Sequence, residues 1–370
     1  MTEFNKLKEE AYALLGKLTS VHAPSGFEYL MHDIVVGELE KFADKIWIDS
    51  LGNVIALKKG SRGGASLMLA AHMDEIGLFV SYIEDDGFLR VIPIGGVLER
   101  TLLHQRVVIV TRSGKVVKGV IGLKPPHVVK PEEAQKIPEM KELFVDIGAS
   151  SREEVEKIGV RVGDVAVFDR SIERMLGDRV TGKAFDDRSG LAVMIKAFQL
   201  IENNEADIYA VATVQEEVGL KGARTAAFAI SPNAAIALDV TIASDFPGVA
   251  KSEQFTRLGK GPAIKIADGR NASGLITHPE ILNFMVKVAE EEKIPYQLEV
   301  TPAGTTDASI IALNREGVPS GVLSVPARYI HSPTEVIDLN DLAYAIQLTR
   351  RVSEKASVEW LNKIKMRVVR

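Results

Sequence analysis

The run Tyr209–Val214, YAVATV, is apolar along its length and ends, after Gln215, at two adjacent carboxylates, Glu216 and Glu217. Successive side chains of a strand point to opposite faces, so a continuously apolar strand needs cover on both sides. The stretch therefore calls for a sheet held between two layers, as in α/β proteins with parallel strands. Other runs repeat the theme: SLMLAA before His72, AAIAL before Asp239, and SGVLSV ahead of the loop that contains His331. Strands are expected at 207–214, 234–239, 262–267, 296–300 and 319–323. Helical patterns fill the intervals at 4–20, 188–201, 221–230, 279–292 and 306–315, with a long last helix at 340–363. Ser25 and Glu28 have capping-box spacing and predict a helix start near Gly26. KIWIDSLGNVIAL reads as a hairpin around Gly52-Asn53.

Between 77 and 176 the texture changes. Short β-like runs, GLFVSYI, FLRVIPI, RVVIVTRSGKVVKGVIGL, ELFVDIGA and DVAVF, are punctuated by Gly, Pro and Asp, with one short helix at SREEVEKIG. This predicts a small all-β barrel or sandwich inserted in a loop of the larger unit. The expected organisation is a catalytic α/β domain, 1–76 plus 177–370, with a mostly parallel sheet flanked by helices, and an inserted β domain at 77–176.

The formal net charge of −5 over 370 residues, with a basic cluster only in the tail Lys363–Arg370, offers nothing to a nucleic acid. No apolar run of about 18 residues is present, so no membrane span is expected. The charged start, MTEFNKLKEEAY, reads as a helix, not a signal peptide, and the expected compartment is the cytoplasm. The chain has no cysteine, so any bound metal must be held by His and carboxylates, a donor set suited to Zn, Co or Mn.

Parallel sheets place their ligands at the carboxyl ends of the strands. The polar residues that follow apolar strands are few: His72 and Asp74, Glu216 and Glu217, Asp239, and His331. Asp186 and Asp187 lie in the turn GKAFDDRSG, just before a helix. Adjacent carboxylates repel, and burying one unpaired is costly. Two divalent cations would neutralise the cluster and keep its acids ionised. That is the layout of a dimetal hydrolase, in which cations about 3.5–4 Å apart polarise a carbonyl and activate water. One of the paired glutamates would then bind metal, and the other would take the water's proton.

Blander roles suit other residues. Asp187 reads as a helix cap. His22, His32, His104, His127 and His278 read as ordinary structural histidines, and Gly95-Gly96 as a turn. Neither a phosphate-binding loop nor a G-x-S-x-G elbow is present.

HMDEIG, GKAFDDRSG, QEEVGLKGA, ALDVT and RYIHSPTE, in that order, resemble the motifs of the M42 family of dimetal aminopeptidases, which includes the tetrahedral TET enzymes. GVIGLKPPH in the insert is similar too. The resemblance implies a phosphorylase/hydrolase-like exopeptidase core acting on peptides with two divalent cations per subunit, Zn2+ or Co2+. It implies His72 and His331 as terminal ligands, Asp186 as the bridge, and Glu217 and Asp239 completing the two shells. In the family the Asp186-Asp187 peptide is commonly cis. Glu216 would be the general base, and Asp74 would fix the tautomer of His72. Asp307, in GTTDA where the family often shows a Gly-Gly-Thr-Asp-like run, is a substrate-side candidate. The insert would form dimers, and dimers a hollow tetrahedral dodecamer. Three alternatives stand beside this reading. An endo-glycosidase would use a carboxyl pair without metal. A carboxypeptidase or deacylase on the same dimetal core would need a basic clamp such as Arg257, Arg270 or Arg328. A non-catalytic metal-binding assembly protein would have no use for an unligated acid at Glu216.

Overall fold

The computed structural model describes residues 2–124, 126–128 and 136–366. Pro125 of GVIGLKPPH and residues 367–370 of the basic tail lie outside them. After the helix Glu3–Thr19, the chain builds the hairpin β1 (Lys45–Ile48) and β2 (Val54–Lys58), then β3 (Ser66–His72). Six strands follow: β4 (Gly77–Ile83), β5 (Leu89–Ile94), β6 (Arg106–Val110), β7 (Val116–Gly122), β8 (Phe144–Asp146) and β9 (Val165–Phe168). They close into a barrel in the order β4-β5-β8-β7-β6-β9. The barrel has an apolar interior of its own, with Leu78, Leu89, Val107, Ile121, Val145 and Ala166 buried together. The expected short helix forms at Arg152–Ile158.

The large sheet resumes at β10 (Glu173–Arg174), ahead of the expected boundary at 177. It continues with β11 (Arg179–Gly182), β12 (Asp207–Thr213), β13 (Ala234–Ile242), β14 (Ala263–Ala267), β15 (Gln297–Val300), β16 (Ser320–Arg328) and β17 (Glu335–Asp338). Eleven strands make this sheet, ordered β1-β2-β12-β3-β13-β16-β17-β11-β10, with β14 and β15 branching from β16. The strands β12, β3, β13 and β16 are parallel neighbours, and antiparallel pairs flank them.

Both faces of the central strands are covered, as their composition requires. Leu67, Leu69 and Ala71 of β3 pack with Leu191, Ile195 and Leu342 from the helices Phe185–Leu200 and Leu339–Lys355. Met68 and Ala70 pack the other way, with Ala223, Ala226 and Ile311. Each fully buried Leu, Ile or Met side chain contributes roughly 1.5–3 kcal/mol. On that second face Ala70 stands opposite Ala237. The period of two therefore brings His72 and Asp239, each two residues further on, to the same end of the sheet.

Several expectations are corrected. Ser25 and Glu28 do not form a capping box: the Ser25 hydroxyl donates to Asp74, and Glu28 accepts from the main chain at Gly26 and Gln215. A short 3-10 turn, Glu28–Met31, precedes the helix at His32. The helix at 306–315 shrinks to Asp307–Ile311. The long last helix breaks after Lys355, and Ser357 caps a second one, Val358–Lys365, by accepting from the Trp360 N–H. Strands β10, β11 and β17 escaped the sequence reading because they are only two to four residues long and ordered by pairing. Among the described residues no helix is long and apolar enough to cross a membrane.

Candidate metal centre

The sheet and its loops bring the separated motifs to one place. His72 Nε2 lies 3.2 Å from one oxygen of Asp186, and His331 Nε2 lies 3.3 Å from the other. The two histidines thus flank a single carboxylate. Glu217 joins them, with Oε1 3.4 Å from His331 Nε2 and no hydrogen-bond donor of its own. Two groups have donor atoms within 4.8 Å of one another: Asp186, Glu217 and His331, and His72, Asp187 and Asp239. Glu216 falls in neither, although its Oε2 is 3.8 Å from His72 Nε2.

Each histidine presents Nε2 because its other nitrogen is occupied. His72 Nδ1–H donates to the main-chain oxygen of Asp74 at 3.0 Å, and His331 Nδ1–H to the main-chain oxygen of Gly96 at 3.0 Å. That fixes the tautomer and leaves Nε2 free to bind a metal. The Asp74 carboxylate, expected to do this for His72, is the more distant partner at 3.5 Å. It accepts instead from the Glu216 and Glu217 N–H groups and from Ser25, and so aims both glutamates.

Asp187 accepts from the Gly190 N–H at 2.8 Å, the capping role read from sequence, and from the His72 N–H at 3.3 Å. The peptide between Asp186 and Asp187 is cis. The turn that carries them is tied to the His72 segment by a buried ionic cluster. Lys183 Nζ lies 2.8 and 2.7 Å from the two oxygens of Glu75, and Arg188 reaches the same carboxylate at 3.5 Å. Ala184, Gln215, Leu220, Tyr329 and His331 all adopt left-handed backbone conformations. Such residues persist only where surrounding contacts hold them, and they gather at functional sites.

The electrostatics are those of a cage short of positive charge. Burial, reinforced by Asp186, pushes Asp239 up to about 8. Burial, with Asp239, Asp307 and Glu217 close by, drives Glu216 well above the usual carboxylate range. Burial would raise Asp186 as well, but hydrogen bonds with His331 and His72 hold it below that range. Burial opposes the charging of His331, yet Asp186 and Glu217 push it up to about 12. Asp307 is buried, accepts from the Thr213 hydroxyl at 2.6 Å and leaves Oδ1 unpartnered. Clustered N and O donors of this kind, two with neutral-tautomer geometry and the rest carboxylate, fit divalent cations.

Sequence reasoning missed two features. Glu335, in RYIHSPTE, is buried and accepts from the Asp186 and His331 N–H groups. Gly96, read as a turn, comes from the barrel and presses on His331. An added Cβ would sit 2.6 Å from its Nδ1 and 2.8 Å from its Cε1. Gly96→Ala should therefore push the imidazole away from Asp186 and Glu217. A displacement of about 1 Å at a reacting centre costs about 100-fold. Such a loss in kcat/KM is expected with the fold intact by circular dichroism, and wild-type turnover would show that the ring position does not matter. Of the candidate clamp residues, Arg328 is paired with Asp245 at 2.7 and 2.8 Å, while Arg257 and Arg270 are exposed.

Known proteins share this architecture. A family model described as M42 glutamyl aminopeptidase matches residues 52–348. A lysyl aminopeptidase from Pyrococcus furiosus is 43% identical over 348 residues, 93% of this chain and 97% of the relative. An aminopeptidase from the archaeon Desulfurococcus kamchatkensis superposes with a TM-score of 0.95 at 61% identity, covering 98% of this chain and 99% of that one. The TET1 peptidase of Pyrococcus horikoshii, described as able to assemble into a tetrahedron or a large octahedral shell, matches with a TM-score of 0.83 at 33% identity, covering 93% of this chain and 99% of that one.

Proposed function

This chain belongs to the M42 glutamyl aminopeptidase family, and we propose that it removes amino-terminal residues from peptides with the help of two divalent cations. The observation that carries this reading is Asp186, whose two oxygens face one histidine each. His72, Asp239 and Asp186 would hold one cation, and Asp186, Glu217 and His331 the other. Zn2+ and Co2+ suit the donor set. When bound, such ions polarise the scissile carbonyl and lower the proton affinity of an attacking water.

The remaining chemistry belongs to the chain's own residues. Glu216, outside both donor groups, takes the proton as the water oxygen bonds to the carbonyl carbon. It returns that proton to the departing nitrogen as the C–N bond breaks. Asp74 holds the Glu216 peptide in place. Asp307, with one oxygen free near Glu216, is the proposed acceptor for a donor on the substrate. An endo-glycosidase would need neither histidine. The kinship with a TET1 peptidase that builds closed shells supports a homo-oligomer, with the barrel as the dimerising part and a tetrahedral dodecamer as the whole. The mass from sedimentation separates a dodecamer from a dimer.

A panel of aminoacyl anilides and short peptides, each with a free or an acetylated amino terminus, tests the reaction. Stepwise loss of residues from free amino termini is expected, with the acetylated series inert. Cleavage of acetylated substrates, or release from the carboxyl end, would replace this reading with a deacylase or carboxypeptidase.

A further inference from the structure

We propose that Glu335 is a positioning residue that clamps the main chains of two metal-binding residues, Asp186 and His331, with one carboxylate. The inference rests on the dimetal reading above and adds a role for a side chain that holds no cation itself.

The fold explains how one side chain reaches both. After β16 the chain turns through left-handed Tyr329 and His331 and returns as β17, whose first residue is Glu335. There Glu335 pairs with Gly182 at the end of β11. Gly182 opens the turn that carries Asp186, so the strand pairing sets Glu335 beside that turn. Its Oε2 accepts from the Asp186 N–H at 3.0 Å, and its Oε1 from the His331 N–H at 3.0 Å. Both donors need such help. Asp186 has non-helical backbone angles at the kinked start of its helix, where N–H groups have no partner within the helix. His331 lies in a loop. Glu335 itself is 2% exposed, so water competes little for either bond.

Asp186 and His331 are about 145 residues apart in sequence; β11 and β17 pair beside them, but both residues lie beyond that ladder, where the Glu335 carboxylate accepts from the two N–H groups. His72 and Asp239, by contrast, sit within or at the end of central strands whose ladders already fix them. Loss of the clamp should therefore loosen Asp186 and His331 more than His72 and Asp239.

Glu335→Gln keeps the shape but sets an amide NH2 against one of the two N–H donors. Two measurements test the idea. In metal-free protein, hydrogen–deuterium exchange read by mass spectrometry should accelerate in the peptides spanning 184–187 and 330–332, and stay unchanged in those spanning 66–72 and 234–240. In a Co2+ titration followed by visible absorption, one of two ions should bind about 10–100-fold more weakly than in wild type. Glu335→Asp keeps the charge but is one methylene short, and should shift both readouts the same way by less. It also serves if the glutamine variant fails to fold. Unchanged exchange at both peptides, or exchange raised evenly across the chain, would overturn the clamp. So would two affinities within twofold of wild type. A wild-type chain that bound no Co2+ would instead sink the dimetal reading, and the exchange measurement would still judge the clamp.

Discussion

Glu216→Gln should bind both cations and yet lose about 10²–10⁴-fold in kcat, the contribution typical of a positioned general base. The reason lies in how the structure separates two adjacent glutamates. Asp74 accepts both of their N–H groups and aims the pair. Glu217 is turned to His331 and Asp186, while Glu216 stands apart from both donor groups and near His72. Glutamine has the same shape, accepts hydrogen bonds through its carbonyl and cannot take a proton at neutral pH. The substitution therefore removes proton transfer and leaves the metal-binding side chains where they were. Metal content by elemental analysis and kcat on an aminoacyl anilide are the two readouts. If kcat falls less than tenfold, Glu216 is not the base. If a metal is lost along with activity, Glu216 was a ligand. Glu217→Gln should behave in the second way, because its carboxylate joins Asp186 and His331.

The positions of the strands, and of the polar residues at their ends, could be read from the sequence because continuous apolar runs specify a sheet covered on both faces. That His72 and Asp239 share a face became visible only with the register of β3 against β13. Five ordered motifs supplied the proposed ligand set by resemblance. What escaped was the support beneath it. Ser25 and Glu28 look like a local cap, yet both side chains answer distant partners, Asp74 and Gln215, which no short-range spacing reveals. Gly96 is a turn residue in sequence and a wall of the His331 pocket in space. Glu335 stood inside a recognised motif with no role, because its task depends on β11 pairing with β17, a contact between short strands far apart in the chain. Lys183 and Arg188, charged and next to the metal turn, would be placed on the surface by type alone. They are buried because Glu75 balances them. Local patterns thus pointed to the groups proposed to do chemistry, while the groups that hold them in place are defined by tertiary pairing.

Exhaustive chelation should abolish peptide hydrolysis and lower the melting temperature, with Zn2+ or Co2+ restoring both. The argument starts from charge. Asp186, Asp187, Glu216, Glu217, Asp239, Asp307 and Glu335 crowd one end of the sheet, with His72 and His331 as the histidines among them. Without cations the cage compensates by taking up protons: Asp239 is pushed to about 8 by burial and by Asp186, and His331 to about 12 by its carboxylate neighbours against the effect of burial. Those protons must leave when a cation enters, so apparent metal affinity should rise with pH, and a chelator should strip the protein more readily at pH 6 than at pH 8. An ion that binds only the folded chain adds about 2.7 kcal/mol of stability at a hundred times its Kd and about 4.1 kcal/mol at a thousand times. Calorimetry with and without chelator reads that difference directly, and anilide hydrolysis in the same samples reads the chemistry. An acid pair working alone would be indifferent to the treatment. Full peptidase activity from protein shown by elemental analysis to be free of metal would remove the cations from the mechanism, and with them the reason for gathering these side chains around Asp186.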